Sequence, residues 1–526
     1  MTTRRLSLSF RAPKPLSFRA SKPPSLRAFG RVIARGAEAE GGAAGACATW
    51  QSRALVLAAA LILPFFSSHA QSPDGPWVGA IRVMGTDINI MVTFASKGDS
   101  VTATIDIPQQ MALGLAMQNV SWKPPKAHFE LPGGPGRLAV FDGTIKGDSV
   151  NGSFTQAGFQ GTFGLERGKD VRKMGAAPPA ERLPYDEQEV TYKSDNVTIA
   201  GTLTIPRGHG PFPAAILITG SGAHNRDEEL FNFKPFRIIA DSLTRRGIAV
   251  LRCDDRGIGG STGSKMTSTT ADHVLDVLAG VRFLQGRADI NSRQIGLIGH
   301  SEGGLIAPIA AARSNGVAFI VLLAGPGVTG DRLILFQIES QMRSGGATED
   351  EIRKTISREE RAFACARADT GWENLAQAYR VAAAEGVASL PPERRKGIPD
   401  SAAFIQASVD VKLAAARNTW FRYFIQCDPV PALSSVHCPV LAVFGELDQQ
   451  VPVSLNREPM EAALKKGKTG DWNVEVIPKA NHLFVTAVTG APSEYPSLEK
   501  KFSPGFLDLI GGWITKRVTV PGDSKE

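Results

Sequence analysis

Three side chains, far apart in the chain, have the types and the order that nucleophilic acyl transfer needs: Ser301, Asp448 and His482. A serine hydroxyl is a poor nucleophile at neutral pH unless an imidazole takes its proton, and the imidazole needs an acid to orient it. Ser301 lies in Gly299-His300-Ser301-Glu302-Gly303, a GxSxG pattern. The small residues two before and two after the serine let the chain reverse sharply enough to expose the hydroxyl. In a chain with 54 glycines such a pattern is weak by itself, and a second match, Gly259-Gly260-Ser261-Thr262-Gly263, is present. Context separates the two. Ser301 joins the apolar run 295–299 to an apolar helix opening at Gly303, whereas Ser261 follows the polar Asp254-Asp255-Arg256 and has no apolar helix behind it.

The acid and the base follow from position. Where a strand–turn–helix serine sits in a doubly wound sheet, the chain order is serine, acid, histidine. Residues 440–444 form an apolar strand that runs into Gly445-Glu446-Leu447-Asp448, which puts Asp448 just past a strand tip on the same sheet edge as Ser301. Glu446 is the rival acid, but it is closer to the strand and faces away. Of eight histidines only His482, beyond the strand at 472–477, follows Asp448, so the order leaves no other base. His224 and His300 flank the site as structural or substrate contacts. An oxyanion needs two preorganised donors. The backbone N–H of Glu302 is one; the other is assigned to Ser221, with Gly222 as alternative, in the glycine-rich loop after the apolar run 213–219.

The elements that must hold these residues read as alternating strands and helices. A hairpin at 189–193 and 197–206 is followed by strands at 213–219, 248–253, 294–299 and 317–324, with helices at 236–246 and 271–285. Such alternation gives an α/β fold with a parallel, doubly wound sheet and right-handed crossovers, spanning residues 187–520. Ligands bind beyond the carboxyl ends of its strands, where Ser301 falls. Residues 329–427 interrupt the sheet with helical composition and no strand alternation. Inserted at the strand tips, they are expected to cap Ser301, with Trp420, Phe421, Phe424 and His300 as candidate pocket residues. Residues 73–168 instead show period-two alternation, as in Ile88, Ile90, Val92 and Phe94, broken by Gly, Pro and Asp turns. They predict a small all-β domain, an antiparallel sandwich or half-barrel, joined by a linker at 169–186. It carries no catalytic constellation.

The net charge of +8 suggests a nucleic-acid partner only until it is mapped. Residues 1–53 hold ten Lys/Arg against Glu38 and Glu40, while from Gln71 onward 49 basic residues face 49 acidic ones. The folded part is near neutral, and no nucleic-acid partner is expected. Residues 1–70 read as a leader. A Pro-, Ser- and Arg-rich repeat over 8–30 cannot bury a core, and residues 54–66 are an apolar run followed by Ser68 and Ala70 at signal-peptidase positions. The run is short of the roughly 20 residues that span a bilayer. A signal peptide at about 54–70, cleaved after Ala70, with periplasmic or secreted localisation and no stable membrane span, is the expectation. Its 53-residue n-region is far too long for one, which points to a translation start downstream of Met1. Cys47 leaves with the leader; Cys253, Cys365, Cys427 and Cys438 lack metal spacing, so no metal or cofactor is implied, and a disulfide among the last three stays open.

Five stretches in this order, ITGSG ending at Gly222, LRCDDRGIGGSTG from Leu251, GHSEGG around Ser301, GELDQQVP from Gly445 and NHLF from Asn481, together resemble the α/β-hydrolase superfamily. Within it the chain is similar to secreted or periplasmic bacterial esterases that carry a β-rich domain ahead of the hydrolase domain. The resemblance covers nearly everything from residue 75 and implies a small-molecule carboxylic ester as substrate. Likeness to serine aminopeptidases and acyl thioesterases leaves a peptidase or thioesterase as the alternative; a catalytically dead binding protein is a third reading, opposed by the intact Ser301, Asp448 and His482.

Overall fold

The computed structural model describes residues 72–521, apart from 84–85, 99, 108–111, 133–137, 157–158, 169–182, 232, 391, 396–397 and 399. The leader, the signal-peptide expectation, Cys47 and most of the linker lie outside the described residues. No helix among them is long and apolar enough to cross a membrane.

The first domain is built from β1 (Gly75–Val83), β2 (Thr86–Lys97), β3 (Ser100–Ile107), β4 (Ala112–Ala116), β5 (Gln118–Lys123), β6 (Lys126–Leu131), β7 (Ala139–Lys146), β8 (Ser149–Gln156) and β9 (Phe159–Arg167). They pair antiparallel in one sheet, ordered β4-β3-β2-β1-β9-β8-β7-β6-β5. The two ends of that order are neighbours in sequence, separated by Met117, whose N–H donates to the Ala103 carbonyl of β3 at 2.9 Å. Trp122 on the far end of the sheet lies 5.1 Å from both the Trp77 and Phe94 rings of β1 and β2. Such contact across the sheet requires it to curl upon itself. Of the two expected forms, the curled sheet and not the two-layer sandwich is present, because the alternating face has a wall of aromatic rings to enclose.

The second domain contains β10 (Tyr185–Ser194), β11 (Val197–Pro206), β12 (Phe212–Ile218), α1 (Pro235–Thr244), β13 (Ala249–Cys253), α2 (Thr270–Gln285), β14 (Ile290–His300), α3 (Glu302–Ala312) and β15 (Phe319–Leu323). After the insertion come α10 (Pro429–Leu433), β16 (Val440–Gly445), α11 (Val453–Lys466), β17 (Trp472–Ile477) and α12 (Phe506–Thr515). The hairpin opens at Tyr185, earlier than the alternation alone suggests, since the Tyr185 ring is buried and its hydroxyl donates to Asp241 at 2.8 Å.

The sheet order is β10-β11-β13-β12-β14-β15-β16-β17, parallel from β13 through β17. Every residue of β12, β15 and β16 is buried, which explains why these strands read as unbroken apolar runs. The winding reverses at β12: the next strand, β13, is added on one side and β14 on the other. The crevice at such a switch point opens beyond the carboxyl ends of β12 and β14, where the glycine-rich loop and Ser301 are found.

The insertion between β15 and β16 is helical: α4 (Gly330–Ser344), α5 (Glu349–Ala368), α6 (Trp372–Ser389), α7 (Pro392–Arg395), α8 (Ser401–Arg417) and α9 (Thr419–Phe424). It has its own small core, including Phe363, Ala366, Leu375 and Tyr379. Its neck is pinned where the Gly330 N–H donates to the Cys427 carbonyl at 3.0 Å. The backbones approach so closely that a Cβ on Gly330 would sit 2.0 Å from the Phe424 oxygen.

Candidate active site

Ser301 occupies the turn between β14 and α3 with φ 52° and ψ −116°, a left-handed conformation that a serine adopts only when its surroundings impose it. The imposition is visible in its neighbours. A Cβ on Gly299 would meet the Gly303 carbonyl oxygen at 2.0 Å, and one on Gly303 would meet the Ile218 oxygen of β12 at 2.2 Å. The serine N–H is spent on the Leu323 carbonyl at 2.8 Å. The N–H of Glu302, in the first turn of α3, has no partner among the described residues, as expected of a helix N-terminus.

Asp448 and His482 meet. The Nδ1 atom of His482 is 2.8 Å from Asp448 Oδ2, and both residues are buried. The other carboxylate oxygen accepts the backbone N–H groups of Gln450 at 2.7 Å and Val451 at 2.9 Å. Burial works against the charge on Asp448, but the His482 imidazole and these backbone donors outweigh it and hold the carboxyl below its ordinary value. Nε2 of His482 and the Ser301 hydroxyl are each without a hydrogen-bond partner among the described residues. Glu446 is exposed and turned away, accepting the Lys479 N–H at 2.7 Å. The second GxSxG serine is structural: Ser261 is buried, its hydroxyl donating to the Asp254 carbonyl at 2.8 Å and accepting the Ala200 N–H at 2.9 Å.

The loop after β12 is anchored at three points. Gly220 N–H donates to Glu228 Oε1 at 2.7 Å, the Thr219 hydroxyl to Asp255 Oδ1 at 2.7 Å, and His224 N–H to Asp255 Oδ2 at 3.0 Å. A His224 ring nitrogen also donates to the Ser221 carbonyl at 2.9 Å. These bonds leave the N–H groups of Ser221 and Gly222 without partners among the described residues, and Gly222 has φ 112°, open to glycine alone. The first domain reaches this loop: a Cβ on Gly114 of β4 would lie 3.4 Å from the Ala223 oxygen.

Three expected pocket residues do other work. His300 is buried, with Nδ1 3.0 Å from Glu228 Oε1 and Nε2 3.0 Å from the His482 carbonyl, so neither ring nitrogen is available to a ligand. Phe424 is buried in the main core with Trp420 stacked on it at 4.9 Å. Phe421 packs on Phe363 in the cap, 5.5 Å away. Aromatic composition marks a helix face for burial without saying whether core or pocket receives it. Trp420 ties the insertion to α3, its indole N–H donating to Glu302 Oε1 at 2.9 Å, an oxygen that also accepts the Thr270 hydroxyl at 2.6 Å. A second tie runs from Gln337 of α4 to the Gln450 carbonyl at 2.9 Å.

Glu228, Asp255 and Asn481 were not singled out by sequence reasoning. Asn481 Oδ1 accepts the N–H groups of Leu483 and Val485 at 3.0 and 3.1 Å, folding the turn that carries His482. Glu228 sits in a run of polar residues, 224–229, and its only local distinction is a φ of 48° that the sequence does not disclose.

A sequence profile described as the alpha/beta hydrolase family matches residues 215–492. The chain belongs to that family. This hydrolase is 25% identical over 335 residues to the esterase EstD of Thermotoga maritima, an alignment covering 63% of the chain and 68% of EstD. Among solved structures it is similar to the Pyrococcus furiosus esterase Pf2001, at 18% identity and TM-score 0.37, covering 61% of this chain and 92% of that one. It is likewise similar to Est1E of Butyrivibrio proteoclasticus, at 18% identity and TM-score 0.34, covering 62% and 96%.

Proposed function

We propose that this hydrolase cleaves carboxylic esters through an acyl-enzyme on Ser301. The observation that carries the reading is the buried Asp448–His482 hydrogen bond of 2.8 Å on the strand-tip side that also bears the serine turn. Asp448, accepting at Nδ1, holds the tautomer in which Nε2 of His482 carries the lone pair. That nitrogen takes the Ser301 proton as the hydroxyl oxygen attacks the ester carbonyl. The carbonyl oxygen becomes an oxyanion held by the N–H groups of Glu302 and Ser221, with Gly222 as alternative; each such donor lowers the barrier by about 3 kcal/mol. The imidazolium returns the proton to the leaving alcohol, and water then repeats the sequence on the acyl-enzyme, releasing the acid and restoring the serine. The name of the Thermotoga relative, an esterase, favours the ester over an amide or thioester. We also propose export to the periplasm or medium after cleavage behind Ala70, which N-terminal sequencing of the native protein tests.

Ser301→Ala tests the assignment on p-nitrophenyl butyrate, with a thioester and prolyl amides as parallel substrates. Loss of kcat by about 10⁶-fold, together with loss of fluorophosphonate labelling, is expected. Retention of most ester turnover overturns the assignment; preferential cleavage of amides by the wild-type enzyme overturns the substrate class.

A further inference from the structure

His300 precedes the nucleophile and faces two acceptors at once. Nδ1 meets a carboxylate oxygen of Glu228 and Nε2 meets the main-chain carbonyl of His482, both at 3.0 Å. A neutral imidazole carries a hydrogen on only one nitrogen, so it can satisfy one acceptor and must set a lone pair against the other. The same Glu228 oxygen also accepts the Gly220 N–H, which favours an ionised carboxylate there.

We propose that His300 is a positioning residue held as an imidazolium by Glu228, and that this ion pair locks the oxyanion loop, the nucleophile turn and the backbone of the catalytic base into one rigid unit. The proposal rests on the roles given above to Ser301, His482 and Ser221. Three segments that are distant in sequence converge on it. Gly220 adjoins the proposed oxyanion donor, His300 adjoins the nucleophile, and the third contact is made by the carbonyl of His482 itself. The pair is deeply placed, Glu228 being 4% exposed and His300 7%. Charged and titratable groups facing it are Asp448, His224 and the His482 ring, whose centroid is 4.7 Å from that of His300. Among the described residues, the cavity beside the pair is otherwise lined by apolar groups, including Phe236 and Ile239 of α1, Leu323 of β15, and Phe484, Phe502 and Phe506. Burial opposes the charge on both partners, yet their mutual attraction outweighs it: His300 is raised above its ordinary value and Glu228 is held below its own.

Glu228→Gln keeps the shape and an acceptor for Gly220 and His300 but removes the charge that retains the second proton. At alkaline pH the variant's His300 becomes neutral and can donate to only one of its two acceptors, so one of the ties to residue 228 and the His482 carbonyl is lost. A fall in kcat of about tenfold to a hundredfold is expected, with KM within about threefold, since substrate contacts are untouched and only alignment is lost. The ratio of variant to wild-type kcat should rise severalfold as pH falls from about 8.5 to about 5.5, because acid restores the imidazolium in the variant while the wild type holds it throughout. A purely structural role predicts a ratio that does not move with pH, and that result, or an unchanged kcat, overturns the proposal. A measurement independent of the variant's folding and of any ester turnover is ¹⁵N NMR of histidine-labelled wild type, with the His300 signals identified by their loss in His300→Gln. Protons on both ring nitrogens from acid to pH 8 are expected; a single ring proton at pH 7 refutes the proposal even if the ester reading stands. Conversely, absence of ester turnover with His300 doubly protonated refutes the ester reading alone.

Discussion

Asp448→Asn separates orientation from mere occupancy of the acid position, and its effect can be worked from the hydrogen bonds. Oδ1 of Asp448 accepts two backbone N–H groups, from Gln450 and Val451, at 2.7 and 2.9 Å. An asparagine must place its carbonyl oxygen there, because an amide nitrogen would confront two donors. Its NH₂ group then takes the place of Oδ2, 2.8 Å from His482 Nδ1, and donates. Nδ1 becomes the acceptor, the ring proton moves to Nε2, and the nitrogen that should take the Ser301 proton is blocked. A wrong-tautomer change of this kind costs about 10⁴-fold in kcat, about 5 kcal/mol of barrier. Stopped-flow and steady-state kinetics on p-nitrophenyl butyrate at pH 7 read it, with Glu446→Gln as control, expected within about twofold because that carboxylate is exposed and bonded to Lys479 N–H. Stability gives a second reading. The carboxyl of Asp448 is held below its ordinary value in the folded protein, so its contribution is fully present above the unfolded-state pKa of about 4 and is lost as pH falls through the folded value. The difference in urea midpoint between wild type and variant should therefore shrink below about pH 4. A kcat within tenfold of wild type, or an equal loss in Glu446→Gln, refutes the reasoning.

Two further substitutions probe the frame. Gly303→Ala forces a methyl to within 2.2 Å of the Ile218 oxygen, a contact that only backbone displacement relieves, and should cost about 3 kcal/mol or more in a urea melt while also reducing turnover. Trp420→Phe preserves stacking on Phe424 but withdraws the indole donor from Glu302, a residue 1% exposed whose other oxygen already lacks a partner among the described residues; a loss of about 1–3 kcal/mol is expected in the same melt, against a negligible change for a surface control such as Lys354→Ala.

The candidate triad was legible because each member announces itself within a few residues. Ser301 lies between an apolar strand and an apolar helix, Asp448 follows an apolar strand, and His482 is the one histidine left beyond it. Buried strands such as β12, β15 and β16 write their position as unbroken apolar runs. The supports were not legible for the opposite reason. Glu228 earns its place by bonds to residues 8 and 72 positions away, and nothing in its own neighbourhood distinguishes it from Asp227 or Glu229. His300, Phe421 and Phe424 show the same limit: residue type predicted an interior, but which interior depends on how α9 and β14 are set against their neighbours.

The pinned neck of the insertion bears on chain entropy. The polypeptide leaves the sheet at Leu323 and re-enters it at Val440, and the loop is tied off where Gly330 meets Cys427. Closing a loop costs free energy that grows only with the logarithm of its length, about 0.6 kcal/mol for each doubling. Once the neck is tied, halving or doubling the excursion beyond it barely changes the cost of pairing β16 with β15. The insertion can therefore gain or lose helices between those two residues almost without thermodynamic consequence for the sheet that holds Asp448, so its size is free to vary independently of that sheet.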